Sequence, residues 1–189
     1  CASGRMPCST YGWSFTGRHH AVEDALFRPK PGSLPGRDGR HPNILVGGQG
    51  TARSFRIAAR HADEFNLTST SPEGAAAKYA ELDDACRAVG RDPSTLVHSV
   101  MAGVLIGREE AELKRRERDM MAAFGGAAAD ESEAWLETRR PRWVLGTPDE
   151  AREVVRRFAA VGVERLVLQD FIPRGLGMID LAWWAMIGL

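Results

Sequence analysis

Residues 44–50 read ILVGGQG, and Thr51 follows. The glycines at 47, 48 and 50 separate a short apolar run from a stretch with helical spacing. Glycine lets the backbone approach an anion closely, and a helix start offers unpaired N–H groups and the positive end of its dipole. A phosphate fits such a place. Gly47, Gly48, Gln49, Gly50 and Thr51 are therefore the first candidates for a ligand site, with Thr51 able to add a hydroxyl and Arg53 a charge. A plain turn uses the same residues: Gly47 and Gly48 to turn the chain, Gly50 to begin the helix. The spacing is not GxGxxG, and no Lys-Ser or Lys-Thr closes the loop, so neither nucleotide signature is present.

Other chemistry-bearing residues are scattered. Asn66 falls near the C-terminal end of a predicted strand, where it could touch a ligand, order the loop or only end the strand. Gln169 and Asp170 close a later strand and read as a solvated end. His98 sits early in a strand and reads as a core histidine before a catalytic one. His19 and His20 read as a surface pair. The cysteines are Cys1, Cys8 and Cys86, an odd and widely spaced set with no CxxC, which argues against a disulfide framework and against a zinc site; no metal site is expected. Cys86 reads as a small buried apolar residue.

The elements that must hold these residues follow from local pattern. Ile44–Val46 is a strand of the kind buried on both faces. Ala52, Phe55, Ala59 and Ala62 recur at helical spacing with Arg53, Arg56 and Arg60 opposite. Glu64–Thr68 is a second strand, and Ser71-Pro72-Glu73 starts a helix whose apolar face is Tyr79, Leu82, Cys86 and Val89, stopped by Gly90. Thr95–Ile106 is a third strand, with a bend or bulge expected at Ala102 and Gly103. Glu109–Ala123 is a charged surface helix, Trp135 and Leu136 anchor a short one, and Thr147-Pro148-Asp149-Glu150 is a capping box. Gly162 ends that helix, Glu164–Gln169 is the fourth strand, and an apolar helical tail carries Trp183 and Trp184, which need something to pack against. Alternating strands and helices predict an α/β fold with parallel strands. The expected division is an irregular arm with a hairpin-type segment over 1–41 and one domain over 42–189.

Composition is that of a globular chain, 43% hydrophobic and 26% charged, with zero formal net charge. That argues against nucleic-acid binding or a membrane role driven by a basic field. No apolar run approaches a membrane span, and no signal peptide is visible, so a cytoplasmic location is expected. Residue 1 is Cys and the first fourteen residues lack any period, so the chain reads as a fragment or as one whose start has been lost.

Several segments in order carry a likeness. These are Pro42, Ile44–Gly48 and Gly50; Ala58-Ala59-Arg60 with Ala62-Asp63; Phe65-Asn66; Val89–Pro93 (VGRDP); HSVMAGVLIG; Leu145–Ala151 (LGTPDEA); and Gly162–Phe171 (GVERLVLQDF). Together they resemble the luciferase-like monooxygenase family of flavin- and coenzyme F-420-dependent oxidoreductases. FTGRHHAVEDALFRPKP is similar to a hairpin insertion that precedes the glycine strand in that family. The resemblance implies the C-terminal half of a TIM (β/α)8 barrel, about four parallel strands with flanking helices, corresponding to strands five to eight of a fold that usually needs ~250 residues. It implies that Gly47–Thr51 cradle the phosphate of coenzyme F-420 (a deazaflavin) or FMN, with Asn66 nearby, and that the substrate is a small organic molecule. Hydride transfer or oxygenation would be the cofactor's chemistry. Catalytic residues are not assigned, and the ring-binding half of the pocket would come mainly from strands one to four. Two such halves could close a pseudo-barrel as a homodimer. The alternatives are a catalytically inactive remnant or cofactor-phosphate-binding module, and, more distantly, a nucleotide-binding domain of flavodoxin or Rossmann type.

Overall fold

The computed structural model describes residues 12–26, 28, 36, 41–123, 134–171 and 177–186. The chain divides into two compact units, Cys1–Ile44 and Leu45–Leu189. In the first, β1 (Trp13–Thr16) pairs antiparallel with β2 (Ala21–Ala25), and the turn between them closes where Gly17 N–H donates to the His20 carbonyl at 2.9 Å. His19 and His20 are exposed at this turn. Most of the glycine-rich segment from 29 to 40, the first eleven residues, and residues 124–133, where the sequence reading puts a loop, lie outside the described residues.

The second unit is a parallel α/β sheet. Its elements are β3 (Leu45–Gly48), α1 (Ala52–His61), β4 (Glu64–Thr68), α2 (Pro72–Ala88), β5 (Val97–Ile106), α3 (Glu110–Ala123), β6 (Val144–Gly146), α4 (Pro148–Ala160), β7 (Arg165–Gln169) and α5 (Gly177–Met186). The strand order is β3-β4-β5-β6, and β7 also pairs with β5. All these pairings are parallel. The α/β class and the four long-range strands expected from the sequence are present. The fifth, β6, is a three-residue strand that the sequence reading passed over as a lead-in to the next helix.

Two strands differ from expectation in instructive ways. β3 does not stop at the glycines: Gly47 pairs with Asn66 and Gly48 with Leu67, so the loop proper is only Gln49 and Gly50 before the Thr51 cap. Nor is β3 buried on both faces, because Leu45 and Gly47 are exposed while Val46 packs toward the helices. β5, in turn, runs unbroken through Ala102 and Gly103. Its pairing changes there instead, from β7 over Ser99–Gly103 to β6 over Val104–Ile106. The glycine is explained by close approach: a Cβ at 103 would run into the Trp143 indole. Gly103→Ala is expected to cost about 1–3 kcal/mol by overpacking. Adding Trp143→Leu should recover part of the loss, as denaturant unfolding of the two single variants and the double variant would show.

Two apolar clusters organise the unit. Phe55, Ala58 and Ala59 of α1, Tyr79 and Leu82 of α2, and Phe158 of α4 cover the sheet face presented by Phe65, Leu67 and Val100. Phe55 and Phe65 meet edge to face, centroids 5.1 Å apart. Cys86 is buried in this cluster, as the sequence predicts. The second cluster gathers Ile106, Met120, Leu136, Trp143, Val144, Ala151 and Leu181 around the C-terminal half of β5. Trp143 stacks on Phe171 at 5.0 Å and meets Trp135 edge-on at 5.5 Å, and the Arg139 guanidinium lies 3.5 Å over the Trp135 ring. Trp183, expected to pack, is instead 63% exposed, because Leu181 and Ala182 form the buried side of α5. The Trp184 side chain lies outside the described residues.

Helix ends follow the sequence signals closely. Ser71 caps α2 by accepting from Gly74 N–H at 3.1 Å. Thr147 and Glu150 form the reciprocal box at α4. Gly90 and Gly162 take positive φ, 72° and 85°, just past their helices. The charged helix α3 is not wholly solvated: Glu112 is buried and accepts from the Arg108 backbone N–H at 2.9 Å and from Arg116 at 2.9 Å.

Candidate functional site

In a parallel sheet every strand points the same way, so the segments after β3, β4, β5 and β7 gather at one edge. There α1 and α2 begin, each with its first backbone amides directed outward. The glycine loop lies at this edge. Gly50 has φ +73° and is buried. A Cβ on it would meet Phe55 Cζ at 2.8 Å, Leu67 Cδ2 at 3.1 Å and Lys78 Cδ at 3.1 Å. Gly48 has φ +149° and open space around its Cβ position. Gly47 takes no positive φ, and a Cβ there would make ordinary contact. Two glycines are therefore required by backbone conformation, one of them also by packing, and the loop presents main chain rather than side chains at the helix start.

Thr51 is the N-cap of α1, in a reciprocal box with Ser54. Thr51 Oγ1 accepts from Ser54 N–H at 3.2 Å, and Ser54 Oγ accepts from Thr51 N–H at 2.9 Å. The hydroxyl that the sequence offers to a ligand is thus occupied by the helix. The donors the cap leaves are the backbone amides of Ala52 and Arg53, which have no intrahelical acceptor. The Arg53 side chain is exposed at the same turn.

Asn66 is the third residue of β4, not its end. It is buried, and its Nδ2 donates to Ser99 Oγ at 2.9 Å across to β5. The registers Gly47↔Asn66, Asn66↔Ser99 and Ser99↔Arg165 put these residues on one sheet face, opposite the helices. The same face carries Glu64, whose Oε2 pairs with Arg165 while its Oε1 is buried without a hydrogen-bond partner among the described residues. At the loop edge Ser69 holds φ +49°, costly for a residue with a Cβ, and its N–H donates to the Met101 carbonyl at 2.9 Å. Gln169 is the last residue of β7 and exposed.

His98 lies on the helix side of the sheet. Its ring stacks on Tyr79, centroids 4.0 Å apart, and its Nε2 is 3.3 Å from Asp83 Oδ1 without hydrogen-bond geometry. Burial holds the imidazole below its usual pKa, against the opposing pull of Asp83 and Glu164. Burial likewise pushes the Tyr79 phenol up, and its hydroxyl is spent on the Ser99 and Phe65 carbonyls. A histidine with a depressed folded-state pKa gives stability that is full above its unfolded value and lost as pH falls through the folded one. His98→Gln should therefore flatten the loss of stability below about pH 6.5, by no more than about 1.4 kcal/mol per pH unit. Urea midpoints of both proteins over pH 5–8 would check this.

Among the described residues, no group of three or more His, Cys, Asp and Glu could hold a metal ion. No helix described is long and apolar enough to cross a membrane. A cleft of about 710 Å³ between α3, the 136–140 segment and the start of α4 is lined by Glu110, Lys114, Glu117, Arg118, Glu137 and Arg140 and contains none of the candidate site residues. Ser54, Lys78 and Ser99 are the site residues that sequence reading missed. The Thr-x-x-Ser spacing from Thr51 could have revealed Ser54; nothing local points to the other two.

A family model described as luciferase-like monooxygenase matches residues 9–171. Among solved structures, an F-420-dependent secondary alcohol dehydrogenase superposes with a TM-score of 0.64 at 16% identity, covering 92% of this chain and 54% of that one. The coenzyme F-420-dependent tetrahydromethanopterin reductase of Methanopyrus kandleri gives 0.59 at 11%, covering 88% and 55%. EDTA monooxygenase from Chelativorans sp. BNC1 gives 0.60 at 19%, covering 92% and 49%. No curated protein matches the chain. The chain spans about half the length of these structures, as a partial barrel would.

Proposed function

Because the chain belongs to the luciferase-like monooxygenase family, we propose that its 45–189 unit holds the phosphate end of coenzyme F-420 or FMN for an oxidoreductase or monooxygenase acting on a small organic substrate. The observation that carries this reading is the buried, positive-φ Gly50, wedged against Phe55, Leu67 and Lys78 at the N-terminus of α1. Only glycine keeps the main chain that close to the helix start, which is what an anion needs.

Gly47–Thr51 would form the cradle, with the Ala52 and Arg53 amides as donors and the dipole of α1 behind them. Asn66 would act from beneath, since its bond to Ser99 ties β4 to β5 under the loop. When bound, the cofactor supplies hydride transfer or oxygen chemistry, and these residues supply grip and orientation. The reading places the protein in the cytoplasm and takes it as a homodimer with small-molecule ligands.

Fluorescence titration with coenzyme F-420 and with FMN tests the proposal. Saturable binding of either is the expected result, and no binding of both defeats it. A second reading, a cofactor-phosphate-binding module without turnover, draws on the half-length coverage of the solved structures. Binding with no oxidation or reduction of bound cofactor would favour that reading.

A further inference from the structure

Lysine is scarce in this chain: of its 25 basic residues only Lys30, Lys78 and Lys114 are lysine, and the rest are arginine. One of them is built against the glycine loop. Lys78 belongs to α2, yet its Cδ lies 3.1 Å from the position a Gly50 Cβ would take. Its stem therefore runs along the loop that leads into α1. Helical Cα–Cβ bonds tilt toward the N-terminus, and α2 begins at the same sheet edge as the loop. Position and direction both set Lys78 to serve that edge.

The ammonium is turned elsewhere. Nζ donates to Glu81 Oε1 at 3.0 Å and Oε2 at 3.3 Å, one turn further along α2. Glu81 is its only partner among the described residues. This contact is easily given up. The Lys78 and Glu81 side chains are 37% and 53% exposed, and exposed pairs are weak. Lysine also precedes glutamate here, the less favourable order on a helix. The two bonds beyond Cδ can rotate while the packed part of the stem stays against Gly50, so the charge can leave Glu81 without disturbing the loop.

We propose that Lys78 is the side-chain cation of the phosphate site, held on Glu81 while the loop is empty and transferred to the ligand's phosphate when the loop is filled. The inference rests on the phosphate reading above and deepens it, by naming the residue that makes the site prefer a phosphate to a neutral group. The amides of Ala52 and Arg53 orient a bound oxygen but carry only partial charge. A full charge on a compact, rotatable head adds the attraction that a phosphate meets and a hydroxyl does not. No acidic residue in the first turn of α1 opposes it. Glu81 sets the threshold: a neutral ligand cannot draw the ammonium from a carboxylate, whereas a phosphate competes as another anion.

Titration of the full chain with FMN and riboflavin, and with coenzyme F-420 and the same deazaflavin lacking its phosphate, tests the role of Lys78. Lys78→Met keeps the stem against Gly50 and removes the charge. It should weaken the phosphorylated ligand about tenfold, change its unphosphorylated partner by less than about twofold, and flatten the salt dependence of binding. Glu81→Gln frees the ammonium and should tighten the phosphorylated ligand about threefold, a readout that holds even where Lys78→Met folds poorly. Lys114→Met removes the same charge from α3, where Glu110 is the partner, and should change neither ligand. A Lys78→Met protein with wild-type preference for phosphate, or a Glu81→Gln protein no tighter than wild type, would overturn the role of Lys78 and leave the phosphate reading standing. Wild-type protein that binds both members of each pair equally would remove that reading, and the role of Lys78 with it.

Discussion

Gly50→Ala is expected to destabilise the protein by roughly 2–5 kcal/mol and to weaken FMN binding at least about tenfold. Two costs add. A side chain at φ +73° sits in the left-handed region, which costs about 1–2 kcal/mol. The new methyl would also collide with Phe55 and Leu67, which are fully buried and cannot withdraw cheaply; Lys78, on a flexible stem, can. Overpacking of this kind costs about 1–3 kcal/mol. Relief by shifting the loop would move the amides of Ala52 and Arg53, and losing one charge-assisted hydrogen bond is worth about 1.5–3 kcal/mol. Gly48→Ala is the matched control. Its Cβ would enter open space, so only the conformational cost of φ +149°, about 1–3 kcal/mol, applies. Urea denaturation of both variants separates packing from backbone strain.

Arg91→Ala is expected to cost about 2–4 kcal/mol while leaving cofactor affinity of the folded protein unchanged. The Arg91 guanidinium closes the far end of α1. Its Nη1 donates to the carbonyls of Ala58, Ala59 and Ala62 at 3.2, 3.3 and 2.7 Å, and its Nη2 donates to the Thr95 carbonyl at 2.8 Å. Its Nε donates to Thr95 Oγ1 at 2.8 Å. One planar fork thus satisfies the last carbonyls of a helix and fixes the approach to β5. The neighbours serve the same connection: Gly90 takes φ +72°, and Asp92 accepts from Ser94 N–H at 3.0 Å, which holds its carboxyl below the usual range. Arg91→Lys should recover less than half of the loss, because an ammonium cannot reach both sides at once. Thermal or urea unfolding of the three proteins checks this, and equal FMN dissociation constants would confine the effect to stability.

These two residues show what local sequence carries. Gly50, Gly90 and Gly162 stand out because a chain reversal or helix boundary needs them, and caps such as Ser71-Pro72 and Thr147–Glu150 lie within four residues of what they cap. The α/β class and the order of the long strands follow from the same local signals. What escaped depends on partners distant in sequence. Gly103 is glycine because of Trp143, forty positions later, and so reads falsely as a bulge. β6 exists only by pairing with Val104–Ile106. β3 continues through its glycines because β4 offers Asn66 and Leu67 opposite them. At the site, the loop glycines and Thr51 were legible, whereas the Asn66–Ser99 bond spans 33 residues and the Lys78 stem reaches Gly50 from another helix. Thr51 is legible as part of the loop, and in the structure it also caps α1, its hydroxyl bonded to Ser54.

The central claim is that the glycine loop grips a phosphate. Its most direct test is a paired titration of the full chain with FMN and with riboflavin, and with coenzyme F-420 and the same deazaflavin lacking its phosphate. At least one phosphorylated ligand should bind about tenfold or more tightly than its partner, with the difference shrinking as salt is raised and vanishing in Gly50→Ala. Equal affinity within each pair, or a difference that survives Gly50→Ala, would contradict the account.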